Sequence, residues 1–192
     1  MAFVQVWVSG LFNPSRAFEE LKGKPAPLWG FLAVLIRFVV TSLTTTLALY
    51  LLGREPFYPS FLTFLPTGSY YAVLVFTFPL FGVVTWLLMG AVAYLILRLS
   101  RRESDFDQVL NVIGMGMLIP MPVMWLWDWT MIGLDAYKLP TMAVSHAVVQ
   151  MWETGVEAVG LKRVLGLKVS LAIGVAVVIN LVYVLMGAIF AR

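Results

Sequence analysis

The sequence predicts an all-α integral membrane protein, a five-transmembrane-helix bundle with a short amphipathic interfacial helix at the N-terminus. Three observations predict it. First, 61% of the 192 residues are hydrophobic and only 12% are charged, with a mean hydropathy of +0.92; a soluble domain is nearer half apolar and a quarter charged. Second, apolar stretches of bilayer-spanning length recur between charged or Pro-rich connections. Third, the basic residues sort by connection. Arg16, Lys22 and Lys24, then Arg98, Arg101 and Arg102, then Lys162, Arg163 and Lys168 fall on one side, against Arg54, Lys138 and Arg192 on the other. The positive-inside rule then puts the amino terminus in the cytoplasm and the carboxyl terminus outside, the membrane being the plasma (inner) membrane if the chain is prokaryotic.

Composition also excludes several functions. There is no cysteine, hence no disulfide, thiolate metal site or thiol nucleophile. The net charge of +3 is scattered over separate loops, so no nucleic acid is expected as a partner. The first twelve residues lack a basic n-region and a small-residue cleavage site, so no signal peptide is expected. No repeat or second domain is visible. Residues 1–27 read as a cytoplasmic interfacial arm and 28–192 as a single membrane domain.

Within the arm, residues 1–12 are apolar but too short to span. Asn13-Pro14 opens a helix, because Asn accepts first-turn N–H groups and Pro suits the first helical position. Phe12 is expected to staple onto Ala17 or Phe18. Phe18 and Leu21 share one side while Arg16, Glu19, Glu20 and Lys22 lie elsewhere, the pattern of a helix lying in the membrane surface. Gly23-Lys24-Pro25-Ala26-Pro27 ends it.

Spans are expected at about 28–52, 69–97, 106–127, 140–160 and 169–190. The first carries Arg37 and a hydroxyl cluster from Thr41 to Thr46, able to bond across helices or to its own backbone. Phe57, Tyr58, Phe61 and Phe64 in the following loop suit an aromatic interface belt. The second span is longer than the hydrocarbon core and contains Pro79. Ser104 or Asp105 caps the third, whose Gly114 and Gly116 allow close helix approach. Pro120 and Pro122 break it, making its outer part irregular, with Asp128 and Asp135 in an outer loop.

The fourth candidate span is the unusual one. At about 100° per residue, His146, Gln150, Glu153 and Glu157 fall within about 60° of one another, a polar stripe on an apolar rod. If this segment lay on the outer surface, Lys162, Arg163 and Lys168 would be external and the charge bias would nearly vanish. Depth supplies a partner for the stripe. Arg37 lies about 13 Å in from Leu28, and Glu153 about 12 Å in from Leu161, at the same face. A pair between Arg37 and Glu153 is expected, with Gln150 and the Thr44–Thr46 hydroxyls nearby. Glu157 is expected to reach Lys162, Arg163 or water. Asn180 reads as a helix-packing hydrogen bond. The role of His146, without an evident counter-charge, stays open.

Arg37, His146, Gln150, Glu153, Glu157 and Asn180 are therefore the candidate polar network. A structural role comes first and proton, ion or solute passage second. A lone His without Cys is thin for a metal, His-Glu-x-x-His spacing is absent, and no Ser-His-Asp order or Gly-rich phosphate loop occurs. The chain is expected to be no enzyme and to need no cofactor.

Several degenerate motifs occur together in order. Asn13-Pro14-Ser-Arg-Ala-Phe18-Glu19-Glu-Leu21 precedes the first span. Phe106-Asp-Gln-Val109-Leu110-Asn-Val-Ile-Gly114 through Pro120 opens the third. Trp152 through Gly160-Leu161, then Gly166-Leu167-Lys168 and Ala172, cover the fourth-to-fifth junction. In this arrangement the chain resembles the Yip1 family, in its prokaryotic branch. The resemblance implies five spans and a cytoplasmic amino terminus. For that branch it implies no established activity; the interfacial arm, the Gly- and Pro-bearing helices and the lack of a chemical motif instead favour a non-enzymatic, membrane-organising or trafficking-type protein acting through the lipid bilayer and membrane protein partners or a second copy of itself. Eukaryotic members are linked to vesicle traffic and bind small Rab GTPases. The Asp-Leu-Tyr-Gly-Pro motif of those members is absent here, their third-span Gly-Tyr is Gly114-Met115, and the arm is short. Rab-type GTPase binding is not expected. The alternative function is a small permease or ion- or proton-coupled carrier with Arg37, His146, Glu153 and Glu157 on its path.

Overall fold

The computed structural model describes residues 3–22, 28–57 and 66–190. Among them every regular element is helical. α1 (Phe3–Phe12) and α2 (Pro14–Leu21) precede α3 (Leu28–Thr41), which continues through a π-helical turn, Ser42–Thr46, into α4 (Leu47–Leu51). α5 (Tyr70–Leu99), α6 (Phe106–Leu118), α7 (Met121–Gly133), α8 (Leu139–Leu165) and α9 (Val169–Phe190) follow. Four stretches are long and apolar enough to cross a membrane: Leu28–Leu51, Thr67–Leu99, Phe106–Gly133 and Val169–Ile189. α8 has the length, 27 residues, but Glu153, Glu157, Lys162 and Arg163 lower its hydropathy below that of the others.

α6 is the axis of the bundle. All ten residues from Val109 to Leu118 are buried, and α3, α5, α8 and α2 pack around it. Small residues make this possible. Gly30 on α3 lies against Gly114 on α6; a Cβ on Gly114 would stand 2.5 Å from the Cα of Gly30. Gly30 belongs to the first turn of α3, whose N–H groups have no helical acceptor. Asn111 Oδ1 accepts that N–H at 2.7 Å, so a side chain of α6 caps a helix it crosses. Trp86 of α5 donates its indole N–H to the Leu110 carbonyl at 2.9 Å. Large apolar side chains point away from this axis, among them Phe76, Leu80, Leu126, Val144 and Leu185, as a lipid-facing surface requires.

Local sequence explains the interruptions. The Thr41 hydroxyl donates to the Arg37 carbonyl and Thr44 to the Val40 carbonyl. Such back-bonding competes with the regular ladder, and the Leu47 N–H reaches Ser42 across a π turn. Between α6 and α7 the ladder breaks at Pro120 and Pro122, neither of which can donate. The segment beyond is not irregular as expected. α7 is a regular helix, because Pro122 stands in its first turn, where no donor is needed. This continuation removes Asp128 from the expected loop and buries it. Asp135 does lie in the connection after α7, exposed and paired with Arg54.

The amino-terminal arm follows its capping signals. Asn13 accepts the Arg16 N–H at 3.1 Å and Pro14 opens α2. The expected staple does not form: Phe12 is 86% exposed while Ala17 and Phe18 are fully buried. The apolar side of α2 is used against protein. Phe18 and Leu21 join the core, and the Phe18 ring fills the notch at Gly160 on α8, where a Cβ would come within 2.8 Å of it. Asp105 caps α6 through the Asp107 N–H at 2.9 Å. The expected helix end at 23–27, the belt residues Tyr58, Phe61 and Phe64, and the basic Lys24 and Arg192 lie outside the described residues. Phe57 stacks on Tyr137 at 5.6 Å.

This packing makes two glycine-to-alanine changes differ in sign. In Gly114→Ala the new methyl meets backbone of α3 that cannot rotate away, and a loss of about 1–3 kcal/mol is expected. In Gly155→Ala the methyl enters open space, and higher helix propensity adds about 0.5–1 kcal/mol. Unfolding of both variants in detergent, followed by circular dichroism, checks the contrast; a neutral Gly114→Ala would remove close α3–α6 contact as the fold's main constraint.

Candidate intramembrane polar site

The inward face of α8 runs Glu153, Val156, Glu157, Gly160, Leu161 and Val164, all buried. Their spacing of three and four places them on one side of the helix. Arg37 stands opposite on α3, where Gly30 has brought α3 and α6 together. Its Nη1 donates to both Glu153 oxygens at 2.8 Å and to the Met117 carbonyl at 2.9 Å. Its Nη2 donates to the Tyr183 hydroxyl at 3.0 Å. The guanidinium also lies 5.0 Å from the Tyr183 ring centre and 5.3 Å from that of Phe38.

The broken third span matters here. The last carbonyls of a helix lack internal donors and form its negative end. Met117 and Leu118 occupy that position in α6. Met117 receives Arg37, and Leu118 receives the Trp7 indole N–H at 3.2 Å. The Pro pair thus converts an interruption into two acceptors, one of them for the buried cation.

Around this pair the structure arranges the other expected residues, with corrections. Gln150 donates to Asn180 Oδ1, and Asn180 Nδ2 donates to Glu157 and to the Ala176 carbonyl. Glu157 is therefore not at the headgroups beside Lys162 or Arg163. It is fully buried, because Gly116 leaves its side chain room against α6. Arg163 instead approaches Glu19 of α2 at 3.7 Å. The Thr44–Thr46 hydroxyls do not gather at the pair. Thr41 does: its hydroxyl accepts the Trp125 indole N–H at 2.9 Å while bonding the Arg37 carbonyl. Thr45 turns to Asp128 at 3.4 Å.

His146 has a neighbour that sequence reading missed, since Asp128 Oδ1 lies 4.0 Å from its Nε2. Tyr183 and the Met117 carbonyl were also missed. Tyr183 sits three residues after Asn180, on the same face of α9, a spacing that would have pointed to it. Asp128 falls one residue beyond the expected span of 106–127, whereas α7 continues to Gly133. Outside the membrane helices, the Arg54 guanidinium holds the exposed Asp135 carboxyl below the usual carboxylate range, by hydrogen bond first and charge second.

Two adjoining cavities open beside the network. One, of about 660 Å³, is lined by Arg37, Trp125, Asp128, His146, Gln150 and Glu153 among apolar walls. The other, of about 740 Å³, shares Thr41, Asp128, His146 and Tyr183 and extends to Tyr71 and Tyr137.

The Yip1 domain family model matches residues 9–191. The chain belongs to the Yip1 family. No curated protein and no solved structure matches it. The match begins before α2 and runs through α9, so the whole polar site lies inside this Yip1 domain.

The ion pair is expected to show strong coupling. Arg37→Met leaves Glu153 buried without its cation, and Glu153→Met leaves Arg37 without its anion; each is expected to cost about 3–5 kcal/mol. The double variant leaves neither charge and is expected to cost less than either single change. A double-mutant cycle measured by reversible unfolding in detergent checks this. Additive losses would mean that the two side chains act independently.

Proposed function

We propose that this Yip1 domain is a non-enzymatic, multi-pass membrane protein acting through lateral protein or lipid partners, in a membrane-organising or trafficking-type role. One observation carries the reading. The Arg37–Glu153 charges are enclosed, and the guanidinium is occupied by Glu153, Met117 and Tyr183, an arrangement suited to holding helices together. The proposed topology has five spans, with α8 as the fourth because its carboxylates, Glu153 and Glu157, face protein. The amino terminus is cytoplasmic and the carboxyl terminus outside, in the plasma (inner) membrane of a prokaryotic cell. α2 lies at the cytoplasmic surface, apolar side on the bundle and Arg16, Glu19 and Lys22 toward water and headgroups. Partners are the bilayer and other membrane proteins or a second copy; a Rab-type GTPase is not proposed, since the Asp-Leu-Tyr-Gly-Pro motif is absent from these residues.

The cavity beside the pair favours a second reading, a small ion- or proton-coupled permease using Arg37, His146, Glu153 and Glu157. Reconstituted vesicles separate the two. The first reading expects no coupled proton or solute flux and a specific protein or lipid class recovered when the chain is extracted with its surrounding membrane. Robust flux abolished by Glu153→Gln would favour the permease; unchanged flux in that variant would remove Glu153 as a carrier.

Topology has its own test. The chain has no native cysteine, so Leu165→Cys, at the end of α8, carries the sole thiol. Labelling by an impermeant maleimide is expected only from the cytoplasmic side. Reaction in intact cells from outside would overturn the five-span arrangement.

A further inference from the structure

Asp128 is buried but half unused. It is 3% exposed on α7. Its Oδ2 accepts one long bond, from Thr45 Oγ1 at 3.4 Å, and its Oδ1 has no hydrogen-bond partner among the described residues. An unsatisfied buried carboxylate oxygen is costly, so this atom calls for a donor.

The neighbouring histidine does not supply one in its neutral form. His146 Nδ1 lies 2.8 Å from the Met142 carbonyl. A carbonyl only accepts, so Nδ1 carries the hydrogen and Nε2 of the neutral ring is an acceptor. Asp128 Oδ1 and His146 Nε2 then face each other across 4.0 Å as two acceptors. Asp128 and His146 both line both cavities, whose volumes fall in the range of small-molecule sites. Much of the remaining wall is apolar, with Phe38, Phe78, Met124, Trp125 and Val184, beside the mutually engaged Arg37, Glu153, Gln150 and Asn180.

We propose that the cavity of about 660 Å³ binds an amphiphilic primary amine, with its ammonium group at the Asp128 carboxylate and His146 Nε2 and its apolar body along the aromatic and aliphatic wall. The chemistry favours this class over others. An ammonium group is donor-only and has three hydrogens, matching two facing acceptors. An anion would depend on Arg37, whose guanidinium is matched in charge by Glu153 and engaged with Met117 and Tyr183. A metal ion would need more ligands, and no group of three or more His, Cys, Asp or Glu side chains suited to a metal occurs among the described residues. The site stands independently of whether the protein moves a solute.

Equilibrium binding of radiolabelled probes to the full chain in lipid nanodiscs tests it, with empty nanodiscs subtracted for partitioning. Phenethylamine, phenylethanol and phenylpropionate share an apolar body and differ in the polar head. Saturable binding of the amine is expected, at least tenfold tighter than the alcohol, with no saturable binding of the carboxylate. Asp128→Asn is expected to weaken the amine at least tenfold. Val149→Trp, which fills the cavity and keeps Asp128, is expected to abolish binding. Absence of saturable amine binding, an alcohol that binds as well as the amine, or preference for the carboxylate would overturn the proposal. Undiminished amine binding by either variant would do the same. If Asp128→Asn does not fold, the probe series on the native chain and Val149→Trp decide.

Discussion

A guanidinium and a carboxylate placed inside an apolar bundle impose conditions on everything around them. Their mutual attraction offsets the loss of hydration only when geometry is close and the remaining hydrogen-bonding positions are filled. Here the pair sits at 2.8 Å and is nearly inaccessible. Four elements contribute to it: Arg37 from α3, Glu153 from α8, Tyr183 from α9 and the Met117 carbonyl from the end of α6. In a bilayer, helices gain little by excluding lipid from one another. A shared ionic centre therefore links helices that hydropathy alone would leave free to slide.

Close helix contact makes the centre possible. Gly30 and Gly114 let α3 and α6 touch through their backbones, and Asn111 fixes the register by bonding the Gly30 N–H. Gly116 makes room for Glu157, and Gly160 for Phe18 of the arm. Each of these positions exchanges a side chain for proximity. The result is a densely enclosed half around α6 and a more open half beside α7, where Asp128, His146 and the cavities lie. Stability and a potential ligand site are thus divided along the depth of one bundle.

Much of the local structure was legible in the residues. Asn13-Pro14 announced α2, Asp105 announced α6, and equal depth along two helices brought Arg37 opposite Glu153. Two corrections share a cause. The staple of Phe12 and the headgroup position of Glu157 follow from the nearest segment of chain, and a distant one decides each: α2 turns its apolar side onto α8 and α6, and Glu157 meets α9 and a glycine of α6. The loop position of Asp128 fails locally, because α7 resumes beyond Pro120 with Pro122 in its first turn.

The sequence by itself determined that this chain is helical, belongs in a membrane and carries a polar stripe on α8. Composition, hydropathy and helical period are properties of single segments, so they can be read without a fold. Only the tertiary structure decided that α6 is the central helix, that Asn180 and Tyr183 serve different carboxylates and charges, and that Asp128 faces His146. Those outcomes depend on rotation and approach of helices relative to one another. In an apolar chain, hydropathy is nearly the same on every side of a helix, and small residues and buried polar groups choose the orientation only once the helices meet.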